Sequence, residues 1–280
     1  MRLKIRHVSE YHYDAPVGYS LQRLRLSPQT GPGQKVINWN TTVDGAALEV
    51  RYNDHFDNHV ELVSTTTERQ SIRIVAEGEV ETSDNAGIFG PHQSFTPLWL
   101  YRRTTPLTEA GPLITALAGS VTGDNDLSRV HGLMETVHKQ VAFVAGETGA
   151  TTTAEEALVQ KTGVCQDHAH IMIAAARALG LSARYVSGYL MIDGENEQTA
   201  SHAWAEVHMP GLGWVGFDAA NDICPDDRYV RIATGLDYRD AAPVSGMVTG
   251  IATETLLVTL TVQNQGQGQS QSQSQSQSQS

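Results

Sequence analysis

Three side chains able to do chemistry together stand in order along the second half of the chain: the thiol of Cys165, the imidazole of His202 and the carboxylate of Asp218. A thiol becomes a nucleophile when a base takes its proton, and the base works when a third group orients its ring and steadies its charge. Each of the three sits in a short run of distinctive residues: Thr162-Gly163-Val164-Cys165-Gln166-Asp167, Ser201-His202-Ala203-Trp204 and Gly213-Trp214-Val215-Gly216-Phe217-Asp218. The chemistry such a set predicts is attack of Cys165 on an acyl carbon, with His202 accepting the proton and Asp218 holding the ring. The backbone N–H of Cys165 is a candidate oxyanion donor. No second donor is identified. Singly, each residue also has an ordinary reading: a buried structural cysteine, a strand-end histidine, a turn carboxylate. Their joint setting favours the catalytic one.

The elements around them supply that setting. From Val164 onward, Val164, His168, Ile171, Met172, Ala175 and Leu179 recur on one helical face, and Gly180 stands where a helix-ending glycine belongs. Cys165 is therefore expected in the first helical turn, where free backbone N–H groups and the helix dipole favour a thiolate. Downstream, Ala203, Ala205, Val207 and Met209 alternate with His202, Trp204, Glu206 and His208, the period of a strand. Pro210-Gly211-Leu212-Gly213 reads as a turn, and Trp214–Asp218 as the returning strand. A four-residue loop would set Asp218 opposite Ala205, on the wrong face for His202. An odd loop or a bulge is therefore predicted.

Charge narrows the function classes. The 280 residues carry 19 Lys and Arg against 31 Asp and Glu, a net charge of -12. Phosphate-backbone binding needs clustered basic residues, and the longest cluster is Arg102-Arg103. Nucleic acid is excluded as a partner; a peptide or protein substrate is expected. The opening residues alternate as a strand does and lack the apolar core of a secretory signal, and no apolar run is long enough to span a bilayer. Two cysteines do not make a disulfide framework. The expectation is a cytoplasmic protein with no membrane partner.

Along the chain, Leu3–Val8, Val36–Val43, Leu48–Tyr52, Val60–Thr66 and Ile72–Val80 read as strands of a small antiparallel sandwich or barrel over 1–83. Residues 84–112, broken by Pro91, Pro97, Pro106 and Pro112, read as a linker region. Helices are predicted over Leu113–Ala118 and Leu127–Val144, with Asn125 or Asp126 as cap. A further short helix starts near Thr152 or Thr153, with Glu155 or Glu156 completing a capping box. Tyr229–Ala233 and Thr255–Val262 read as late strands of a catalytic domain spanning 113–262. The Gln/Ser-rich tail 263–280 has no apolar side chains to offset its ordering entropy and is expected to be disordered.

The motifs around the three residues resemble the transglutaminase-like superfamily, in particular its bacterial group of transglutaminase-like cysteine proteases. Arg184-Tyr185-Val186-Ser187-Gly188-Tyr189 and Ser201-His202-Ala203-Trp204-Ala205-Glu206-Val207 carry the resemblance together with the Cys165 and Asp218 strings. Tyr11-His12-Tyr13-Asp14-Ala15-Pro16-Val17 and Leu24-Arg25-Leu26-Ser27-Pro28 are similar to that group's N-terminal β domain. The resemblance implies an α+β fold, an N-terminal antiparallel β domain followed by a papain-like, transglutaminase-like core. It also implies Cys165, His202 and Asp218 as the triad, and no cofactor. His168 stands where many relatives have an aromatic residue, and Ala219-Ala220 where they have Pro-Thr. Members of the family divide between hydrolysis and amide transfer, so peptide or amide hydrolysis is the leading expectation and acyl transfer to an amine the alternative. A non-catalytic module on this fold is a third reading. A metal hydrolase built on Asp167, His168 and His170 is a fourth, disfavoured because these positions do not converge on one ion from a single helix.

Overall fold

The computed structural model describes residues 1–65, 68–194, 197–249 and 253–265. Six strands come first: β1 (Arg2–Val17), β2 (Tyr19–Leu24), β3 (Gln34–Asp44), β4 (Ala47–Asn53), β5 (His59–Thr65) and β6 (Arg69–Thr82). Short β7 (Ile88–Gly90) and a 3-10 turn over Leu98–Arg102 lead to helices α1 (Pro112–Ser120) and α2 (Asp126–Gln140). Next come β8 (Ala142–Phe143), α3 (Ala154–Gln160), β9 (Thr162–Gly163) and α4 (Cys165–Ala178). The chain continues through β10 (Ala183–Leu190), β11 (Glu197–Gln198), β12 (His202–Met209), β13 (Gly213–Phe217) and β14 (Tyr229–Gly235). It closes with α5 (Tyr238–Ala241), β15 (Val244–Thr249) and β16 (Glu254–Asn264). The fold is the expected α+β arrangement.

The N-terminal strands form a sandwich. One sheet runs β11-β16-β1-β6-β3 and the other β15-β2-β5-β4, both antiparallel. Tyr11 and Tyr13 of β1, Leu24 of β2, Val63 of β5 and Ile72 and Ile74 of β6 meet in its core. The first half of β1 faces elsewhere: Leu3 and Ile5 join Leu260 and Val262 of β16 in the larger core, which includes α1, α2, α3 and α4. Between these halves His7, buried, meets the Tyr189 hydroxyl and the Ser9 hydroxyl, each at 3.1 Å.

Within 113–262, strands β15 and β16 reach back to the first strands: β15 pairs with β2, and β16 with β1 along eleven residue pairs, Leu3–Asn264 to Tyr13–Glu254. The strong β-forming pattern of 255–262 was legible, but strand pairing is indifferent to sequence distance. Gln263 and Asn264 thus belong to β16, and residues 266–280, expected to be disordered, lie outside the described residues. The helix predicted over Leu127–Val144 stops at Gln140. Beyond it Ala142 and Val144 donate their N–H groups to the Lys161 and Gly163 carbonyls, both at 2.9 Å, so the chain forms a parallel β8–β9 ladder. The helix start is as read: the Asn125 side chain accepts from Ser128 N–H at 2.9 Å.

The second sheet, β14-β10-β12-β13-β7, is antiparallel and lies against α4. Ala203, Ala205, Val207 and Met209 of β12 share the large core with Ile171, Met172 and Ala175 of α4. Gly180 takes φ +82° just past the helix, the left-handed conformation that ends it without a Cβ penalty.

Candidate active site

The Cys165 end of α4 is fixed by local chemistry on both sides. Thr153 and Glu156 form the capping box that starts α3, with Glu156 N–H on the Thr153 hydroxyl at 3.2 Å and Thr153 N–H on the Glu156 carboxylate at 2.9 Å. Past α3, β9 pairs with β8, and Val164 turns the chain into α4. Asp167 then reaches back: its Oδ2 accepts Val164 N–H at 2.8 Å and the Thr148 hydroxyl at 2.6 Å. The approach is close enough that a Cβ on Gly163 would sit 2.7 Å from the Asp167 Cβ. A glycine is required there. Cys165 follows as the first helical residue, half-buried, with a free thiol.

His168 explains one departure from the family pattern. Its two ring nitrogens lie against the Val164 carbonyl at 2.9 Å and the Val141 carbonyl at 3.0 Å. The buried ring thereby ties the end of α2 to the start of α4, and Phe143 stacks on it at 6.3 Å. His170 lies deeper, accepting the Tyr238 N–H at 3.2 Å and resting on Tyr185; burial lowers its pKa to about 4. Asp167, His168 and His170 are thus spent on three separate structural contacts.

His202 opens β12 on the far side of the sulfur. The Cys165 Sγ lies 4.0 Å from the Ser201 carbonyl, close enough for its charge to act on the neighbouring His202 ring. The other side of the ring is held by Asp218, whose Oδ2 is 2.7 Å from Nε2. Nδ1 is therefore the nitrogen left for the sulfur. Burial works against a charged ring, but hydrogen bonds and charge from Asp218 and Cys165 outweigh it and push the His202 pKa up to about 10. Trp204 stacks on the ring at 6.3 Å and Tyr229 meets it edge-on at 5.8 Å.

Register brings base and carboxylate to one face. Met209 pairs with Gly213 and Val207 with Val215, so the hairpin loop is the three residues Pro210, Gly211 and Leu212. Of the odd loop or bulge that was expected, the chain uses the odd loop. Gly213, expected in the loop, begins β13 at φ +82°, with its Cα side packed on the Gly90 backbone.

Asp218 is 1% exposed and would be costly as a bare buried charge. Its Oδ2 accepts the Tyr229 hydroxyl at 2.7 Å and the Asn221 amide at 2.8 Å besides His202, and its Oδ1 accepts Ala220 N–H at 3.0 Å. Burial alone would raise its pKa, yet the hydrogen bond and charge of His202, with Asn221 and Tyr229, hold it below the usual carboxylate range. Asn221 and Tyr229 were not singled out from sequence. The turn spacing Asp218-Ala219-Ala220-Asn221 was a usable signal for the first; nothing in the sequence linked Tyr229, eleven residues on, to Asp218.

The structure thus brings Cys165, His202 and Asp218 together, with His202 hydrogen-bonded to Asp218 and the Cys165 sulfur beside the residue that precedes His202. The N–H groups of Cys165 and Gln166 occupy the first turn of α4, where an α-helix leaves its donors without intrahelical partners.

Comparison with known proteins finds two regions of similarity. Residues 115–219 match the transglutaminase-like superfamily, and residues 3–81 match the bacterial transglutaminase-like N-terminal region. An uncharacterized protein of Mycobacterium leprae is 27% identical over 275 residues, spanning 93% of this chain and 98% of its own. An uncharacterized protein of Mycobacterium bovis is 28% identical over 275 residues, with coverage of 88% and 87%. Among solved structures, a Cytophaga hutchinsonii protein called a "putative cysteine protease" superposes with a TM-score of 0.76 at 21% identity. That match covers 94% of this chain and 91% of the other, and shows the fold.

Proposed function

Because this chain carries a transglutaminase-like superfamily core behind a bacterial transglutaminase-like N-terminal region, we propose that it is a cysteine hydrolase of peptide or amide bonds. The observation that carries the reading is the clamped base: His202 held by Asp218 at 2.7 Å on one side and engaged by Cys165 on the other, with its proton affinity raised. In this reading His202 takes the thiol proton and the Cys165 thiolate attacks the acyl carbon. The carbonyl oxygen develops negative charge beside the first-turn N–H groups of α4. The His202 imidazolium then gives its proton to the departing amine as the C–N bond breaks, leaving a Cys165 thioester. Water, losing a proton to His202, attacks the thioester carbon and releases the acid and the thiol.

The substrate in this reading is a peptide or protein, since the acidic chain lacks the basic clusters that a nucleic acid requires. A reducing, cytoplasmic setting fits two free thiols, one of them the nucleophile. The test is incubation with a Gln-bearing peptide and a labelled primary amine, with Cys165→Ala as control. Ammonia release that exceeds amine incorporation, and vanishes in the variant, is the expected result. Amine incorporation outpacing ammonia would transfer the reading to an acyltransferase, and no turnover of any peptide or amide would sink both.

A further inference from the structure

The sheet face that carries His202 continues into a second polar site. Strand alternation sets His202, Trp204 and Glu206 of β12 on one face, with Arg184 of β10 opposite Glu206. Gly188 of β10 stands opposite both His202 and Arg231 of β14. At the end away from His202, two guanidinium groups share one carboxylate. Glu206 is fully buried, and its Oε2 takes Arg184 Nε at 2.6 Å and Nη2 at 2.5 Å. Arg231 Nη1 lies 3.5 Å from each Glu206 oxygen, a loose contact. Arg184 is the tightly held partner and Arg231 the loosely held one.

These arginines line a cavity of about 150 Å³ between the sandwich, the segment after β7 and the sheet. Phe56, Phe89 and Trp214 give it apolar walls. Arg184 stacks over Trp214 at 4.1 Å and Arg231 over Phe89 at 5.2 Å, which holds both guanidinium planes in place. Two other titratable residues line it. His92 is occupied, its Nδ1 accepting Trp214 Nε1–H at 3.2 Å and its Nε2 donating to the Thr96 carbonyl at 2.6 Å. Asp57 lines the cavity from the sandwich side and forms no ion pair among the described residues. It is held at φ +65°, a left-handed conformation uncommon outside glycine. The cavity therefore offers one guanidinium beyond what Glu206 neutralises, one unpaired carboxylate, and aromatic surface.

We propose that this cavity binds a small free α-amino acid as its zwitterion. The ligand carboxylate sits on Arg231, its ammonium on Asp57, and its side chain against Phe56, Phe89 and Trp214. A single charged group would meet only one of the loosely held Arg231 and Asp57, whereas a zwitterion meets both without adding net charge to a half-enclosed site. The volume matches about five waters, which selects an amino acid of alanine or serine size. The site is separate from the thiol, so it can be tested in protein that does no chemistry.

The experiment is calorimetric titration of the Cys165→Ala protein with L-alanine, L-serine, alaninamide, N-acetylalanine and acetate. Saturable binding of alanine or serine is expected, at least tenfold weaker for alaninamide, which lacks the carboxylate, and for N-acetylalanine, which lacks the ammonium. Arg231→Gln should erase the preference for alanine over alaninamide, and Asp57→Asn the preference over N-acetylalanine, with thermal melts confirming that each variant is folded. Asp57 is a partly exposed turn residue, so its variant keeps the test open if Arg231→Gln fails to fold. Acetate binding as tightly as alanine, or no saturable heat for either amino acid up to on the order of 10 mM, a threshold set by the weakest affinity worth calling specific, overturns the proposal. Because Cys165 is absent from this experiment, neither outcome bears on the hydrolase reading.

Discussion

At the scale of single residues, the proton affinity of His202 decides when the site is charged. Its folded-state pKa lies above the ordinary 6.5, near 10. Its interaction with Asp218 and Cys165 therefore stabilises the fold fully below about pH 6.5 and is lost as pH rises through about 10. Asp218 has a depressed pKa, so its contribution is present above about 3.8 and disappears only as pH falls through the lower folded value. A rate profile in which kcat/KM falls on an alkaline limb near pH 10 is expected. Asp218→Asn should cut kcat/KM by about 10³ to 10⁴ and draw that limb downward, since the carboxylate that raises His202 is gone. A limb unmoved by the substitution would mean that another group titrates. The two thiols should also separate: burial pushes Cys224 up to about 11, so iodoacetamide near pH 7 should label Cys165 first, read by peptide mass. The three leading residues were legible because each is chemically distinctive and sits in an ordered motif. Tyr229 and Asn221 were not, because a hydroxyl or an amide becomes part of a site only through the contacts that folding makes.

At the scale of elements, spacing foretold some joints and missed others. The capped starts of α2 and α3 and the glycine after α4 were readable because they depend on neighbours within four residues. An odd hairpin loop or a bulge was readable from chemistry, since a His202–Asp218 pair needs one of them, and the chain uses the odd loop. The β8–β9 ladder was not: its strands are two residues each and sit where the helical pattern simply faded. Gly188 shows how tightly the elements meet. A Cβ there would come within 2.3 Å of the Val230 carbonyl and 2.5 Å of the Trp204 ring, the ring that stacks on His202. Gly188→Ala is expected to destabilise the protein by about 1–3 kcal/mol, the usual range for overpacking, and to lower kcat by displacing Trp204. Chemical denaturation checks the first effect and steady-state kinetics the second; an unchanged midpoint would show that the strands can slide apart at no cost.

At the scale of the whole molecule, the sandwich and the sheet that carries His202 are held by one shared core and by crossing strands. Leu3, Ile5, Leu260 and Val262 are all within 1% of full burial and belong to the same cluster as the helix that bears Cys165. β11, four residues before His202, pairs with β16 through Glu197–Thr261 and Gln198–Leu260. The chain's late strand is thus fastened both to its first strand and to the segment that delivers the base. Removing residues 254–280 should abolish a cooperative unfolding transition by circular dichroism, since it strips two buried side chains and an entire edge partner of β1; a sharp transition in that truncated chain would show the catalytic half to be self-sufficient. The sequence identified β16 as a strand but not its partners, because pairing depends on which edge is left open in space.

That pairing has a bearing on how the protein is born. β1 leaves the ribosome before its partner β16, which begins about 240 residues later. At roughly 5–20 residues per second, one edge of β1 stays open for about 10–50 s of synthesis. Through that interval a strand carrying Leu3, Ile5 and Val8 is a template that any neighbouring nascent chain can copy. Helices α1 to α4 are made while the edge is still open, so the thiol exists before the segment leading to its base has been stitched down. The pairing that closes β1 and fastens β11 therefore waits for β16.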